Sequence, residues 1–176
     1  MTTPKLSRVL LYLLWVIPGL LLIVYFLNPF GVPSWDPRGR VLGVIPYRMP
    51  ASSMAPTYPV GSFVVACTWA YARSSPAPGD VIVFRPPTDP DTPFVKRIVG
   101  IGGDTVEFSD GALLRNGVAQ DEPYLMPDAA HGDDHRSSVP SEHVFVAGDN
   151  RANSLDSRHF GAVANDAIIG KICGQL

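Results

Sequence analysis

Hydrophobic positions fall into one long stretch near the N-terminus and then into many short runs. Residues 9–35 carry no formal charge. Their most apolar part, 9–27, would rise roughly 28 Å as a helix, close to the thickness of a bilayer's hydrocarbon core. Pro18-Gly19 interrupts it, which a membrane helix tolerates as a kink. A cleavable secretory leader would have the same basic flank, here Lys5 and Arg8. The stretch is longer than the usual leader core, however, and no Ala-x-Ala-like exit follows it. The pattern therefore predicts a retained anchor, with a cleaved leader or a buried or interfacial helix as the alternatives. Lys5 and Arg8 before the span are balanced by Arg38 and Arg40 after it, and the N-terminal amine tips the orientation only slightly towards N-inside. The expected organisation is a short basic tail (1–8), a transmembrane anchor (9–30), a juxtamembrane linker (31–46) and one folded domain (47–176).

Past the anchor, helical periodicity is scarce. Residues 60–67, 80–84, 94–99 and 144–147 are short runs rich in β-branched or aromatic residues, bounded by Pro, Gly and Asp. Residues 103–108 alternate and turn through Ser109-Asp110-Gly111 into 112–115. Asn116-Gly117 then offers a tight hairpin turn, and 167–173 reads as a closing strand. Residues 86–93 and 123–140 read as loops, the latter too polar for a core. Prolines spread along the whole chain suit irregular connections between strands. The fold class is mainly β: a compact, twisted antiparallel sheet or barrel-like domain following one N-terminal membrane helix.

A net charge of −2 without a basic tract gives no reason to expect nucleic acid. The two cysteines, Cys67 and Cys173, permit one disulfide in an oxidising compartment, or equally two buried thiols. Neither has a basic neighbour that would activate it as a nucleophile. Gly100-Ile101-Gly102-Gly103 lacks the continuation of a phosphate-binding loop and reads as a turn between strands. His131-Gly132-Asp133-Asp134-His135 has two histidines but no further ligand cluster, so it reads as a solvated loop rather than a metal site.

The candidate chemistry lies in three blocks. Ser53 sits in Pro50-Ala51-Ser52-Ser53-Met54-Ala55-Pro56-Thr57. Lys96 sits in the strand candidate Phe94-Val95-Lys96-Arg97-Ile98-Val99. Gly148-Asp149-Asn150-Arg151-Ala152-Asn153-Ser154-Leu155-Asp156-Ser157-Arg158 concentrates charge near the end of an otherwise apolar domain. A serine hydroxyl needs a base to take its proton. A lysine can serve if apolar surroundings disfavour its ammonium form. Alternation along a strand puts Lys96 on the face of Phe94 and Ile98 and turns Arg97 to the other. His143 and His159 have no arrangement that outranks this pair.

In that order and with those residues, the three blocks resemble the type I signal peptidases, membrane-bound Ser/Lys endopeptidases that remove leader peptides from exported proteins. The resemblance runs from about residue 47 to 170. It implies Ser53 as nucleophile, Lys96 as general base and Ser154 as the second serine that hydrogen-bonds and orients the lysine. Asp149, Arg151, Asp156 and Arg158 match charged residues that support the site. Tyr47, Met49, Met54, Tyr58, Phe94 and Val95 match the lining of pockets for small substrate side chains at −1 and −3, with Tyr58 replacing the usual leucine. The Ser53 backbone N–H is the implied oxyanion donor. The family's hydroxyl donor two positions earlier is missing, because that residue is Ala51. The resemblance further implies exported preproteins, the lipid bilayer and the export machinery as partners, no cofactor and no metal. The protein would be single-pass in the plasma membrane with its catalytic domain on the extracytoplasmic side. Other readings are a processing peptidase dedicated to one exported or pilus-like substrate, a self-cleaving repressor relative, and a non-catalytic membrane-associated binding protein. The repressor relative would need a DNA-binding domain where this chain has its apolar stretch.

Overall fold

The computed structural model of the chain describes residues 5–32, 35–126 and 134–176. The N-terminal apolar stretch forms α1 (Lys5–Leu27), with Pro18 inside it. Among the described residues no helix is long and apolar enough to cross a membrane. The chain leaves α1 through Asn28, whose side chain clasps Val32. Its Oδ1 accepts from the Val32 N–H at 2.9 Å and its Nδ2 donates to the Val32 carbonyl at 3.1 Å. A π-helical turn is formed by Arg38–Leu42. Its Arg40 guanidinium lies 4.2 Å from the ring centre of Trp35 and 5.3 Å from that of Tyr25. The Tyr25 hydroxyl donates to the Trp35 carbonyl at 3.0 Å. Packed rings and hydrogen bonds thus join the helix to the segment 35–42.

The domain is mainly β, as its short apolar runs predict. Its strands are β1 (Val44–Arg48), β2 (Phe63–Cys67), β3 (Val81–Phe84), β4 (Phe94–Ile101), β5 (Thr105–Ser109), β6 (Ala112–Arg115), β7 (Val118–Ala119), β8 (His135–Ser138), β9 (His143–Ala147), β10 (Val163–Ala164) and β11 (Ile168–Gln175). A short helix, α2 (Ser157–Phe160), lies between β9 and β10. One antiparallel sheet has the order β1-β2-β11-β3-β4-β9-β10, and a second has β7-β6-β5-β8. β3 is buried along its whole length. Val81 and Val83 join a core with Met54, Val64 and Ile169, while Ile82 and Phe84 join another with Ile98, Val146 and Ile168. A third cluster fills the seam between the sheets, where Val106 and Phe108 meet Val99, Phe145 and Ala147. Gly100 is needed at that seam, since a β-carbon there would lie 2.3 Å from a Val106 methyl.

Three expectations are revised. The run 60–67 becomes a strand only from Phe63, because Gly61 at φ 87° and a Ser62 N–H bond to the Pro59 carbonyl (3.2 Å) turn the chain first. Gly100 and Ile101 belong to β4, so the turn starts later than expected. The polar segment 123–140 contains β8, which pairs with β5 from Thr105↔Ser138 to Phe108↔His135. Its alternately exposed residues lie at a sheet edge, so polarity there reported solvent access rather than a loop. The Asn116-Gly117 hairpin forms as expected, with both residues at positive φ.

Cys67 and Cys173 form a disulfide, which decides between the two alternatives the sequence left open. Cys173 is the extra residue of a bulge in β11, where the pairing with β2 steps from Ile172↔Ala66 to Gly174↔Val65. The bridge closes a sequence separation of 106 residues. Cys67→Ser combined with Cys173→Ser is therefore expected to cost about 2–4 kcal/mol of stability. Urea unfolding of the oxidised protein against the double variant measures this. Equal midpoints would show that the bridge adds nothing.

Candidate active site

β4 builds one half of the site by simple alternation. Lys96 shares a face with Phe94 and Ile98, and its side chain is 4 % exposed. Its Nζ lies 5.5 Å from the centre of the Phe94 ring. The other half is a single 3₁₀ turn, Ser52–Met54, that comes after β1. Met54 is wholly buried and pins that turn to the core. Asn150 fastens it from the opposite side, with its N–H donating to the Ser53 carbonyl at 3.0 Å and its Nδ2 to the Ser52 carbonyl at 3.2 Å. Asn153 Nδ2 donates to Ser52 Oγ at 2.8 Å. Between the two halves, Lys96 Nζ lies 2.7 Å from Ser53 Oγ in a hydrogen bond.

Burial pushes the lysine down to about 8, against the pull of the Asp156 and Asp149 carboxylates and with a smaller push from Arg158. An amine poised there has an appreciable neutral fraction near neutrality and can take a proton from the hydroxyl it touches.

The acidic and basic residues of the 148–158 block surround this pair without replacing it. Asp149 is buried and receives both nitrogens of the Arg97 fork, at 2.8 and 2.7 Å. It also receives the Thr57 hydroxyl at 2.5 Å. Asp156 is buried too. Burial alone would raise its pKa, but the paired Arg158 and the Gly148 N–H hold it below the usual carboxylate range. Arg158 binds it through Nε at 2.9 Å and a terminal nitrogen at 2.8 Å. Arg151 Nε donates to the Gly148 carbonyl at 3.0 Å, and its other nitrogens bind Glu122.

Ser154 lies at the centre of the block. Its Oγ is buried and meets no partner in hydrogen-bonding geometry, Lys96 included, although it is near enough to Asp156 to reinforce that carboxylate. Gly148 makes room for it: a β-carbon there would lie 2.3 Å from Ser154 Oγ and 2.5 Å from the Ser53 carbonyl oxygen.

The pocket candidates divide. Met49 and Met54 are fully inside the core, and Tyr47, Tyr58 and Val95 pack partly buried against that same cluster. Phe94 faces the other way, joining the cluster of Phe84 and Phe160. Ala51 directly precedes the 3₁₀ turn and brings no hydroxyl. His159 is exposed, and His143 Nδ1 is bonded to the Ser141 carbonyl. The histidine loop 131–135 falls largely outside the described residues, among which no group of side chains could hold a metal.

Several residues of the site had no role readable from the sequence. Arg97, Thr57, Glu122 and Tyr124 act through partners 27 to 92 positions away. Tyr124 lies with its ring centre 3.9 Å from the Arg97 guanidinium, and its hydroxyl donates to Glu122 at 2.6 Å. Only the position of Arg97 beside Lys96 hinted at a role.

Comparison with known proteins agrees with the motif reading. The family described as "Signal peptidase, peptidase S26" matches residues 6–174. Signal peptidase IB of Staphylococcus aureus is 34% identical over 146 residues, covering 73% of this chain and 75% of that protein. Signal peptidase I of Leptolyngbya laminosa is 36% identical over 132 residues, covering 70% of this chain and 64% of that one. A crystal structure of a signal peptidase I from Enterococcus faecalis matches with a TM-score of 0.51 and 32% identity, covering 57% of this chain and 98% of the other. The chain belongs to the type I signal peptidase family and is a serine endopeptidase.

Proposed function

We propose that this protein removes signal peptides from exported preproteins with Ser53 as nucleophile and Lys96 as general base. The observation that carries the reading is the 2.7 Å contact between the Ser53 hydroxyl and a buried lysine amine. Ser53 Oγ attacks the carbonyl carbon of the scissile bond while its proton passes to Lys96. The tetrahedral intermediate collapses as the Lys96 ammonium protonates the leaving amine, which leaves an ester on Ser53. Water then attacks the ester and gives a proton to Lys96, which passes it to Ser53 Oγ as the C–O bond breaks, restoring the hydroxyl and the neutral amine. The Ser53 backbone N–H is the assigned oxyanion donor. The second donor cannot be a hydroxyl at residue 51, which leaves a backbone N–H or a water for that direction. Ser154, buried beside Gly148, is assigned to steady the ammonium during the proton transfer.

Cleavage after small residues at −1 and −3 is carried over from the family resemblance, which assigns the pocket lining to Tyr47, Met49, Met54, Tyr58, Phe94 and Val95. Five of these pack in one apolar cluster and Phe94 lies beside the lysine. Arg151, Arg158, Asp149 and Asp156 hold that framework. No helix among the described residues is long and apolar enough to span a bilayer, so the single membrane anchor is proposed from the sequence, whose uncharged residues 9–27 fall within α1 and would rise roughly 28 Å as a helix. The disulfide favours an oxidising compartment, hence a domain on the extracytoplasmic side, which the flanking charges alone left open. Preprotein and enzyme would then share one bilayer, which raises their effective concentration.

Purified protein in detergent, incubated with a preprotein, should yield two products whose masses add to the substrate plus one water. Ser53→Ala and Lys96→Ala should each lower kcat by at least about a thousandfold. Lys96→Arg should be as inactive, because a guanidinium stays charged. Near-normal turnover by folded Lys96→Ala would exclude the lysine as base.

Because burial holds the amine at about 8, kcat/KM should rise with pH through that value and level off above it. A profile that is flat from pH 6 to 9 would contradict a titrating base. Gly148→Ala should cost most of the activity, since its β-carbon meets Ser53 and Ser154 at 2.5 Å or less. A fully active Gly148→Ala protein would show that neither serine needs its present position.

A further inference from the structure

Behind the serine and lysine, the second sheet reaches into the site. After β7 the chain stays tied to that sheet by the Gln120 N–H, which donates to the Leu113 carbonyl at 2.8 Å. Two residues of the segment that follows reach the site: Glu122 meets Arg151 of the 148–158 block, and Tyr124 meets Arg97 on β4. Both carboxylate oxygens of Glu122 bind the buried Arg151 fork, and one of them also takes the Tyr124 hydroxyl. The two side chains of the ion pair are 7 % and 1 % exposed. The Tyr124 ring covers Arg97, which is held in the fork bond to Asp149.

Traced outward, this chain of contacts ends on the nucleophile turn at both sides. On one side it runs from Tyr124 through Arg97 and Asp149 to Thr57, four residues after Ser53. On the other it runs from Glu122 through Arg151 to the carbonyl of Gly148, the glycine that abuts the Ser53 carbonyl and Ser154. Arg97 is also the strand neighbour of Lys96. One segment therefore braces both the strand that carries the base and the block that seats the nucleophile.

We infer that Glu122, with Tyr124, is a positioning residue for the peptidase reaction: it sets the distance between Ser53 and Lys96 by holding Arg151 and Arg97 in place. This rests on the dyad reading above. Buried ion pairs contribute little net stability when intact, but removing one partner strands the other's charge, so the block would be expected to shift rather than simply lose a contact. A small displacement between nucleophile and base is enough to lower the rate.

The effect should reach the base as well. The charged groups acting on the Lys96 amine are Asp156, Asp149 and Arg158, with Arg97 on the far face of its own strand. Glu122 is not among them, so any change in how Lys96 titrates must come through movement and renewed hydration rather than through direct charge.

The test uses the full-length protein in detergent, with a preprotein as substrate and a serine-directed acylating inhibitor to count active sites. Glu122→Gln keeps the shape but cannot neutralise Arg151. It should lower kcat about ten- to a hundredfold with KM within about twofold. The acidic limb of kcat/KM should move to higher pH as water reaches the amine, while the inhibitor still titrates every site. Tyr124→Phe, which loses only the hydroxyl, should shift both quantities in the same direction by less. An unchanged kcat and limb would overturn the inference. So would activity lost in proportion to titratable sites, with each remaining site normal, because that is the signature of a purely structural ion pair. Cleavage retained by folded Ser53→Ala would instead overturn the dyad reading, and this inference with it.

Discussion

Withdrawal of the Lys96 amine from water is the interaction on which the rest of the site depends. Burial moves it from 10.5 to about 8. At 1.36 kcal/mol per unit, the folded state gives up about 3 kcal/mol to hold it there. That cost grows as pH falls from the unfolded value and is complete below the folded one. Two buried carboxylates, Asp149 and Asp156, stand near enough to pull the amine back towards its charged form. Each is already occupied by an arginine fork, Arg97 on one and Arg158 on the other. The arginines thus keep the carboxylates from becoming partners of the lysine. An ion pair with Lys96 would be better electrostatics and worse chemistry.

The geometry around this amine is set largely by backbone. The Ser52–Met54 turn is fastened by its backbone as well as by its three side chains. Its Ser52 and Ser53 carbonyls are held by Asn150, and its path is fitted against a glycine that leaves no room for a methyl group. The same economy appears at the seam between the sheets, where Gly100 lets β5 approach β4 closely enough for Val106 to enter the core. That approach also brings Phe108 beneath Arg151 and Arg158, with ring-to-guanidinium separations of 5.2 and 5.3 Å. The second sheet is consequently part of the support for the charged block.

Much of this was legible in the sequence, for identifiable reasons. Strand positions such as 81–84 and 94–99 are β-branched runs between turn formers, and the face shared by Phe94, Lys96 and Ile98 comes from alternation alone. Ser53 and Lys96 became readable only in company with the 148–158 block, because 43 residues separate them and neither is unusual by itself. β8 was missed because a half-exposed edge strand and a polar loop share a composition. Glu122 and Tyr124 were missed because their meaning lies in partners contributed by distant strands. The cysteines were undecidable for a similar reason, since only the register of β2 against β11, with its bulge at Cys173, brings them together. Ser154 was expected to bond the lysine. Its buried hydroxyl makes no hydrogen bond to Lys96 and stands beside Asp156 instead, a detail of side-chain geometry that no motif carries.

The packing of Arg40 against both Trp35 and Tyr25 has a mechanical meaning. A flexible leash would let a tethered domain sample a hemisphere of positions above its point of attachment. A guanidinium resting on a ring of the helix and a ring of the connecting segment, with the rings themselves 6.4 Å apart, works as a bracket, and the Asn28 clasp on Val32 shortens its arm further. With α1 as the anchor, the hydroxyl of Ser53 would be carried at one fixed height over the bilayer. Substrates would then be sorted by the length of chain between their own membrane-embedded segment and the bond to be cut, a ruler that operates before any side chain enters a pocket.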